Sequence, residues 1–331
     1  MPIIDESYAF EEIIDDLLRK SKFLEELCQT NVILRCAEFA WKKDYGFLWS
    51  IKNEIGPITT YLILKKKNLN DIKKWTIYAK IFLIKYIRMT KTIKLIDDII
   101  KNLSLEEHCT FIKVRPYPRN HSDVDLLIRI PNKLVNALKT LGFKSVSENG
   151  TVIKMGKKGF LPIEIHSRLS WEGLEPINSA NIISNATRRV IPQFPEVGDI
   201  LLPSYLDDFL ITIAHKFFQE GTITIGDLIH LYYDIVNNTN CKKFKQEDFI
   251  RDLPWGFLVK YCTLVTEKLF LYKSNSVNFS PTVFPIEVCQ FFHFPYFKII
   301  KKYGKNSVKW SLKNIIWTLS RKMHVLQPSS Y

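Results

Sequence analysis

Asp123 and Asp125 stand at alternate positions of an apolar, β-branched stretch, TFIKVRPYPRNHSDVDLLIRI, spanning residues 110–130. A strand turns successive side chains to opposite faces, so Val124, Leu126 and Ile128 can enter a core while both aspartates project together. Two hard oxygen donors a dipeptide apart suit Mg²⁺, or Mn²⁺, leaving the ion's other positions to water and substrate phosphates. A third carboxylate would complete a two-metal site, and Glu164 is the candidate. It lies in a second short β-like run, FLPIEIH, in which Ile163 and Ile165 face one way and Glu164 the other. His166 ends that run, where a histidine contacts substrate, orients Glu164 or serves as a structural residue.

The elements that must position these groups can be read around them. A strand over 109–115 and the Asp-x-Asp strand over 123–130 precede a helix opened by Pro131-Asn132 and ended at Gly142. Further strands are expected near 143–147, 151–155 and 160–166, and Asn149-Gly150 is a hairpin signal between two of them. Upstream, amphipathic helices are expected over 6–28 and 31–54, the latter stopping near the breaker pair Gly56-Pro57. A shorter helix follows, and Asn70-Asp71 caps a long one to about Leu103, carrying a stripe of Tyr78, Phe82, Met89, Ile93, Ile96, Ile100 and Leu103. Residues 173–204, rich in Asn, Ser and Pro, read as a loop leading to an all-helical remainder. The fold class is therefore α+β, mostly helical around one small mixed sheet, divided as 1–105, 106–172 and 173–331.

Composition narrows the function. At 331 residues and 46% apolar content the chain can bury extensive cores. The six cysteines, Cys28, Cys36, Cys109, Cys241, Cys262 and Cys289, show no C-x-x-C pair and read as reduced core residues, against a zinc ribbon or a disulfide scaffold. Asp5, Glu6, Glu11, Glu12, Asp15 and Asp16 stand where an export signal needs basic residues, and the run 77–87 is interrupted by Lys80 and Lys85. No membrane span and a cytoplasmic location are the expectation. The net charge of +13 suggests polyanionic partners, although genomic bias and thermophilic composition also enrich lysine. After Glu287 no acidic residue occurs, while Lys298, Lys301, Lys302, Lys305, Lys309 and Lys313 recur three or four apart. That basic tail would bind RNA, such as tRNA, or form a solvated helix face.

The pattern DVDLLI, then a helix, then IEIH some forty residues on, with His215 and Asp227 in a later helical segment, resembles the nucleotidyltransferase superfamily of the DNA polymerase β type, in its uncharacterised branch. The resemblance covers about Tyr78 to Asn238. It implies a polymerase β-like sheet in which Asp123, Asp125 and Glu164 hold Mg²⁺, an NTP is bound, and NMP passes to a hydroxyl of RNA, protein or a small molecule. One departure stands out. Family members carry a Gly-Gly or Gly-Ser turn before the Asp-x-Asp, whereas this chain has KVRPYPR. Either Arg115, Arg119 and Ser122, with Lys113, hold the phosphates in place of backbone amides, or the nucleotide site is degraded and the protein is a non-catalytic nucleic-acid- or protein-binding relative. A metal-hydrolase set of His166, His215, Asp227 and His230 is a rival without a tight motif. Tyr232, Tyr233, Trp255, Phe291 and Phe292 could stack bases or fill cores.

Overall fold

The computed structural model describes residues 3–66, 72–171, 174–237, 253, 255–271, 280–284 and 286–287. Five strands form the central sheet: β1 (Cys109–Ile112), β2 (Val124–Ile128), β3 (Lys144–Asn149), β4 (Val152–Gly156) and β5 (Ile163–His166). Their order is β1-β2-β5-β4-β3, with β2 and β5 parallel and every other neighbouring pair antiparallel. The sheet is mixed and the chain mostly helical, as the sequence implied.

Local chemistry explains the elements. Strand β2, VDLLI, is buried along its whole length, as a central strand must be. In β5 the burial alternates: Ile163 and Ile165 enter the core and Glu164 and His166 face the other way. Asn149-Gly150 turns β3 into β4, and Gly150 takes the positive φ of +49° that the tight turn requires. The helix between β2 and β3, α7 (Pro131–Thr140), begins at Pro131 and buries Leu134, Val135 and Leu138.

The helical amino-terminal region is more finely divided than expected. The expected helix 6–28 is two, α1 (Ile3–Lys20) and α2 (Lys22–Gln29), because the Ser21 hydroxyl accepts from Leu24 N and starts a new helix. The expected helix 31–54 is also two, α3 (Asn31–Lys42) and α4 (Gly46–Lys52). Gly46 lies so close to the preceding helix that a Cβ there would meet the Ala40 carbonyl oxygen at 2.4 Å. Next come α5 (Gly56–Lys66), with Pro57 harmless in its first turn, and α6 (Ile72–Asn102). The anticipated stripe of α6 is buried from Tyr78 to Ile100; Leu103, beyond the helix, is exposed. The Asn70-Asp71 cap lies outside the described residues.

Residues 173–204 are not a plain loop. They contain α8 (Ser179–Ser184), capped by Asn178, and an antiparallel ribbon of β6 (Thr187–Val190) and β7 (Asp199–Leu202). The ribbon is tied to α6 by Arg188, which reaches Asp97 at 3.2 Å. Downstream, α9 (Tyr205–His215), α10 (Ile225–Asn237) and α11 (Gly256–Thr266) are joined by a two-residue ribbon, β8 (Thr222–Ile223) with β9 (Ile286–Glu287). One cluster of buried apolar residues runs through all three expected regions, from Phe10 through Leu126 to Cys262. Cys28, Cys36, Cys109 and Cys262 are free thiols within or against it. No described helix is long and apolar enough to cross a membrane.

Candidate functional site

Strand pairing brings the carboxylates together. In the parallel register Asp125 lies directly opposite Glu164, and Leu127 opposite His166. Asp123 immediately precedes β2, two residues from Asp125 and therefore on its side of the strand. One donor atom each from Asp125, Glu164 and His166 lies within 4.8 Å of the others, a set able to hold a metal ion. His166, offered by the sequence as a substrate contact, an orienter of Glu164 or a structural residue, is part of the donor cluster. Its Nε2 is 2.9 Å from Asp125 Oδ1 and 3.9 Å from Glu164 Oε2.

Two lysines partly offset the charge of the three carboxylates. Lys113 Nζ donates to Asp125 Oδ1 at 3.1 Å, and Lys154, on β4, donates to Glu164 Oε1 at 2.7 Å and stands 3.9 Å from Asp123 Oδ2. Burial raises the Asp125 pKa, but Lys113 and His166 outweigh it and hold the carboxyl well below the usual range. Asp123 behaves oppositely: burial, then the charges of Asp125 and Glu164, push it up, with only partial relief from the Ser122 hydroxyl at 3.0 Å. Two carboxylates two residues apart are therefore set apart electrostatically. Asp125 is a fixed anion, and Asp123 gains most from an added cation.

Lys113 also holds an unusual backbone. It follows β1 with φ +57°, a left-handed conformation that costs a side-chain-bearing residue roughly 1–2 kcal/mol. The conformation is one that glycine adopts readily, here taken by a lysine. The lysine then reaches across to Asp125.

A cleft of about 250 Å³ opens beside the carboxylates, lined by Lys113, Arg119, His121, Ser122, His215 and Glu220 among others, with Arg115 in its wall. His121 is held neutral, burial and then Arg119 lowering its pKa to about 3. His215 is likewise pushed well below its usual value by burial and by Lys113 and Lys216. The two arginines are internally engaged. Arg115 is only 4% exposed; it donates to Asp227 Oδ1 at 3.0 Å and Thr212 Oγ1 at 3.3 Å and contacts His230 Nδ1. Arg119 pairs with Glu54 at 3.0 Å. Ser122 and Arg119 therefore reach the cleft, while the Arg115 guanidinium ties the sheet to α9 and α10.

His215 and Asp227, which the resemblance placed together in a helical segment, do not pair with each other. Asp227 instead accepts from Thr224 N and Oγ1 at 2.8 and 2.7 Å at the start of α10, while His215 lies 3.5 Å from Glu220. Nor do His166, His215, Asp227 and His230 gather into one donor set among the described residues. His230 sits in a second, fully buried set with Asp208 and Asp234. An arginine can only donate, so the Arg115 contact places the His230 proton on Nε2, facing Asp208 Oδ2 at 3.2 Å. That tautomer has no lone pair left for a metal, and the His230–Asp208 hydrogen bond joins α10 to α9. Of the aromatic candidates, Trp255 is fully buried and Tyr232 and Tyr233 pack on Phe23. Phe291, Phe292 and the basic tail lie outside the described residues.

Sequence reasoning missed Lys154 and Glu54. Lys154 alternates with Ile153 and Met155 in a short strand, a detectable signal; Glu54, at the end of α4, carried none. No family model matches this chain, and no curated protein does.

Proposed function

We propose that the protein is a divalent-cation-dependent nucleotidyltransferase of the polymerase β type. The observation that carries the reading is the register: Asp125 opposite Glu164 on adjacent parallel strands, with Asp123 on the same side, beside a cleft that also holds Lys113, Arg119 and Ser122. Clustered carboxylates repel one another and raise each other's pKa unless cations join them, and Asp123, whose pKa is raised first by burial and then by the charges of Asp125 and Glu164, is in that position. The hard-oxygen donors suit Mg²⁺, and His166 admits Mn²⁺. Asp125 and Glu164, with His166, would hold the ion, and Asp123, which lines the same cleft outside that donor set, would join on substrate binding; the ion would supply charge stabilisation to the attacking and leaving oxygens of an in-line displacement.

The chain's own groups do the rest. Lys113 and Arg119 bind and neutralise the triphosphate, Ser122 donates to a phosphate oxygen, and Glu164 accepts the proton of the acceptor hydroxyl. Because Lys113 and Lys154 already neutralise Asp125 and Glu164, substrate binding exchanges these internal partners for phosphate and cation. The test is incubation of the purified chain with each α-labelled NTP and Mg²⁺ or Mn²⁺, with Asp125→Asn and Glu164→Gln as controls. Label transferred to an acceptor by the wild type and by neither variant supports the reading; no cation-dependent transfer with any NTP and a broad lysate as acceptor source refutes it.

The alternative is a non-catalytic binding protein, favoured by the internal engagement of Arg115 and Arg119 with Asp227 and Glu54. It requires that millimolar Mg²⁺ or Mn²⁺ leave thermal unfolding unchanged.

A further inference from the structure

A second cavity, of about 260 Å³, adjoins the first and shares Lys113, Glu164 and Gln219 with it. Its character differs. Val152, Leu169, Ser170, Trp171 and Phe218 line it together with His166, and the Trp171 and Phe218 rings are parallel within 7° at a centroid distance of 6.3 Å. The Trp171 ring is fixed by its indole N–H, which donates to Gln219 Oε1 at 2.8 Å. Of the cationic side chains in the first cavity, only Lys113 reaches this one, and it is held by Asp125.

The two cavities thus flank the carboxylates as a polar, cation-bearing lobe and a lobe with an apolar wall. In-line displacement at phosphorus puts the attacking oxygen opposite the leaving group. A triphosphate belongs with Lys113, Arg119 and Ser122 in the first lobe, so pyrophosphate leaves there and the acceptor approaches from the second. Resting on the nucleotidyltransfer reading, we infer that the second lobe is the acceptor site, and that it takes a small, uncharged, hydroxylated ring compound of monosaccharide or nucleoside size. An aromatic wall suits the apolar face of such a ring, and Ser170 and Gln219 supply polar contacts for its hydroxyls. Glu164 on the rim disfavours an anionic acceptor, and the size of the lobe disfavours a folded RNA end. In the reaction the acceptor oxygen forms a bond to the α-phosphorus and its proton passes to the Glu164 carboxylate. The bond from the α-phosphorus to the α,β-bridging oxygen breaks, and pyrophosphate departs with that electron pair.

The experiment measures ligand binding by saturation-transfer NMR on the full chain, without NTP, against a panel of uncharged monosaccharides and nucleosides and a short RNA oligonucleotide. It is repeated with Val152→Trp, which fills the lobe, and with Ser170→Tyr in case the strand substitution disturbs folding. The expected result is a monosaccharide or nucleoside bound by the wild type and at least tenfold more weakly by a folded filled variant, with Mg²⁺-dependent binding of a non-hydrolysable NTP analogue unchanged. If no panel member binds, or only the oligonucleotide does, the acceptor assignment is wrong. If the filled variants lose the NTP analogue, the lobe holds part of the nucleotide and the assignment is again overturned. If the ring compound binds but no NTP does under any condition, the lobe stands as a ligand site and the nucleotidyltransfer reading falls.

Discussion

Replacing Glu54 by glutamine tests the electrostatic wiring behind the cleft. Glu54 is mostly buried at the end of α4, with Arg119 at 3.0 Å and Lys216 at 3.1 Å. Burial alone would raise its pKa; the positive charges of Arg119, Lys216 and Arg115 outweigh it and bring the carboxyl down to about 2 from an ordinary 4.5. A carboxyl depressed in the folded state stabilises the fold above its unfolded pKa, and the contribution disappears as pH falls towards the folded value. At about 1.4 kcal/mol per unit, Glu54 contributes on the order of 3 kcal/mol at neutral pH, roughly half of it gone by about pH 3. For a chain of 331 residues that corresponds to about 4 °C in Tm. The assay is urea unfolding followed by tryptophan fluorescence, wild type against Glu54→Gln, at steps from pH 7 to pH 3. The stability difference should be largest above pH 5 and shrink steadily below pH 4.5. A difference that stays constant across that range, or none at pH 7, would refute the argument.

Other outcomes follow from the same geometry. Arg115→Met should cost about 1–3 kcal/mol in chemical unfolding, because it removes a buried donor from Asp227 and Thr212 while Lys216 and Thr224 still hold Asp227, whereas a residue acting only on phosphate would leave stability unchanged. Asp123→Asn should leave stability unchanged or raise it above pH 5, since its raised pKa marks an ionisation the fold opposes, while Asp125→Asn should lower it by removing the anion that Lys113 and His166 hold; unfolding curves of the two variants decide. Lys113→Gly should relieve roughly 1 kcal/mol of left-handed strain and tighten Mn²⁺ binding several-fold by removing the competing ammonium from Asp125, measured by calorimetric titration.

Part of the site was legible because alternation along a strand is a local property: Glu164 and His166 fell on the face opposite Ile163 and Ile165, whereas β2 is buried at every position and Asp123 lies just before it. What the sequence hid was long-range. Arg115 and Asp227 are 112 positions apart, and nothing local marks one as the partner of the other. Ser21 and Gly46 break two amphipathic stripes whose periodicity runs on across the break, so pattern alone merges the helices. The ribbon of Thr187–Val190 was missed because its TRRV sequence has no apolar alternation; Arg188 and Arg189 earn their place through Asp97, Glu106 and Pro203 contacts that only the fold supplies.

The most direct test of the central claim is calorimetric binding of a non-hydrolysable NTP analogue to the wild type in Mn²⁺ and in EDTA, and to Asp125→Asn and Glu164→Gln in Mn²⁺. The account predicts binding that requires the cation and is lost in both variants. Binding of equal strength in EDTA, or undiminished in both variants, would contradict it.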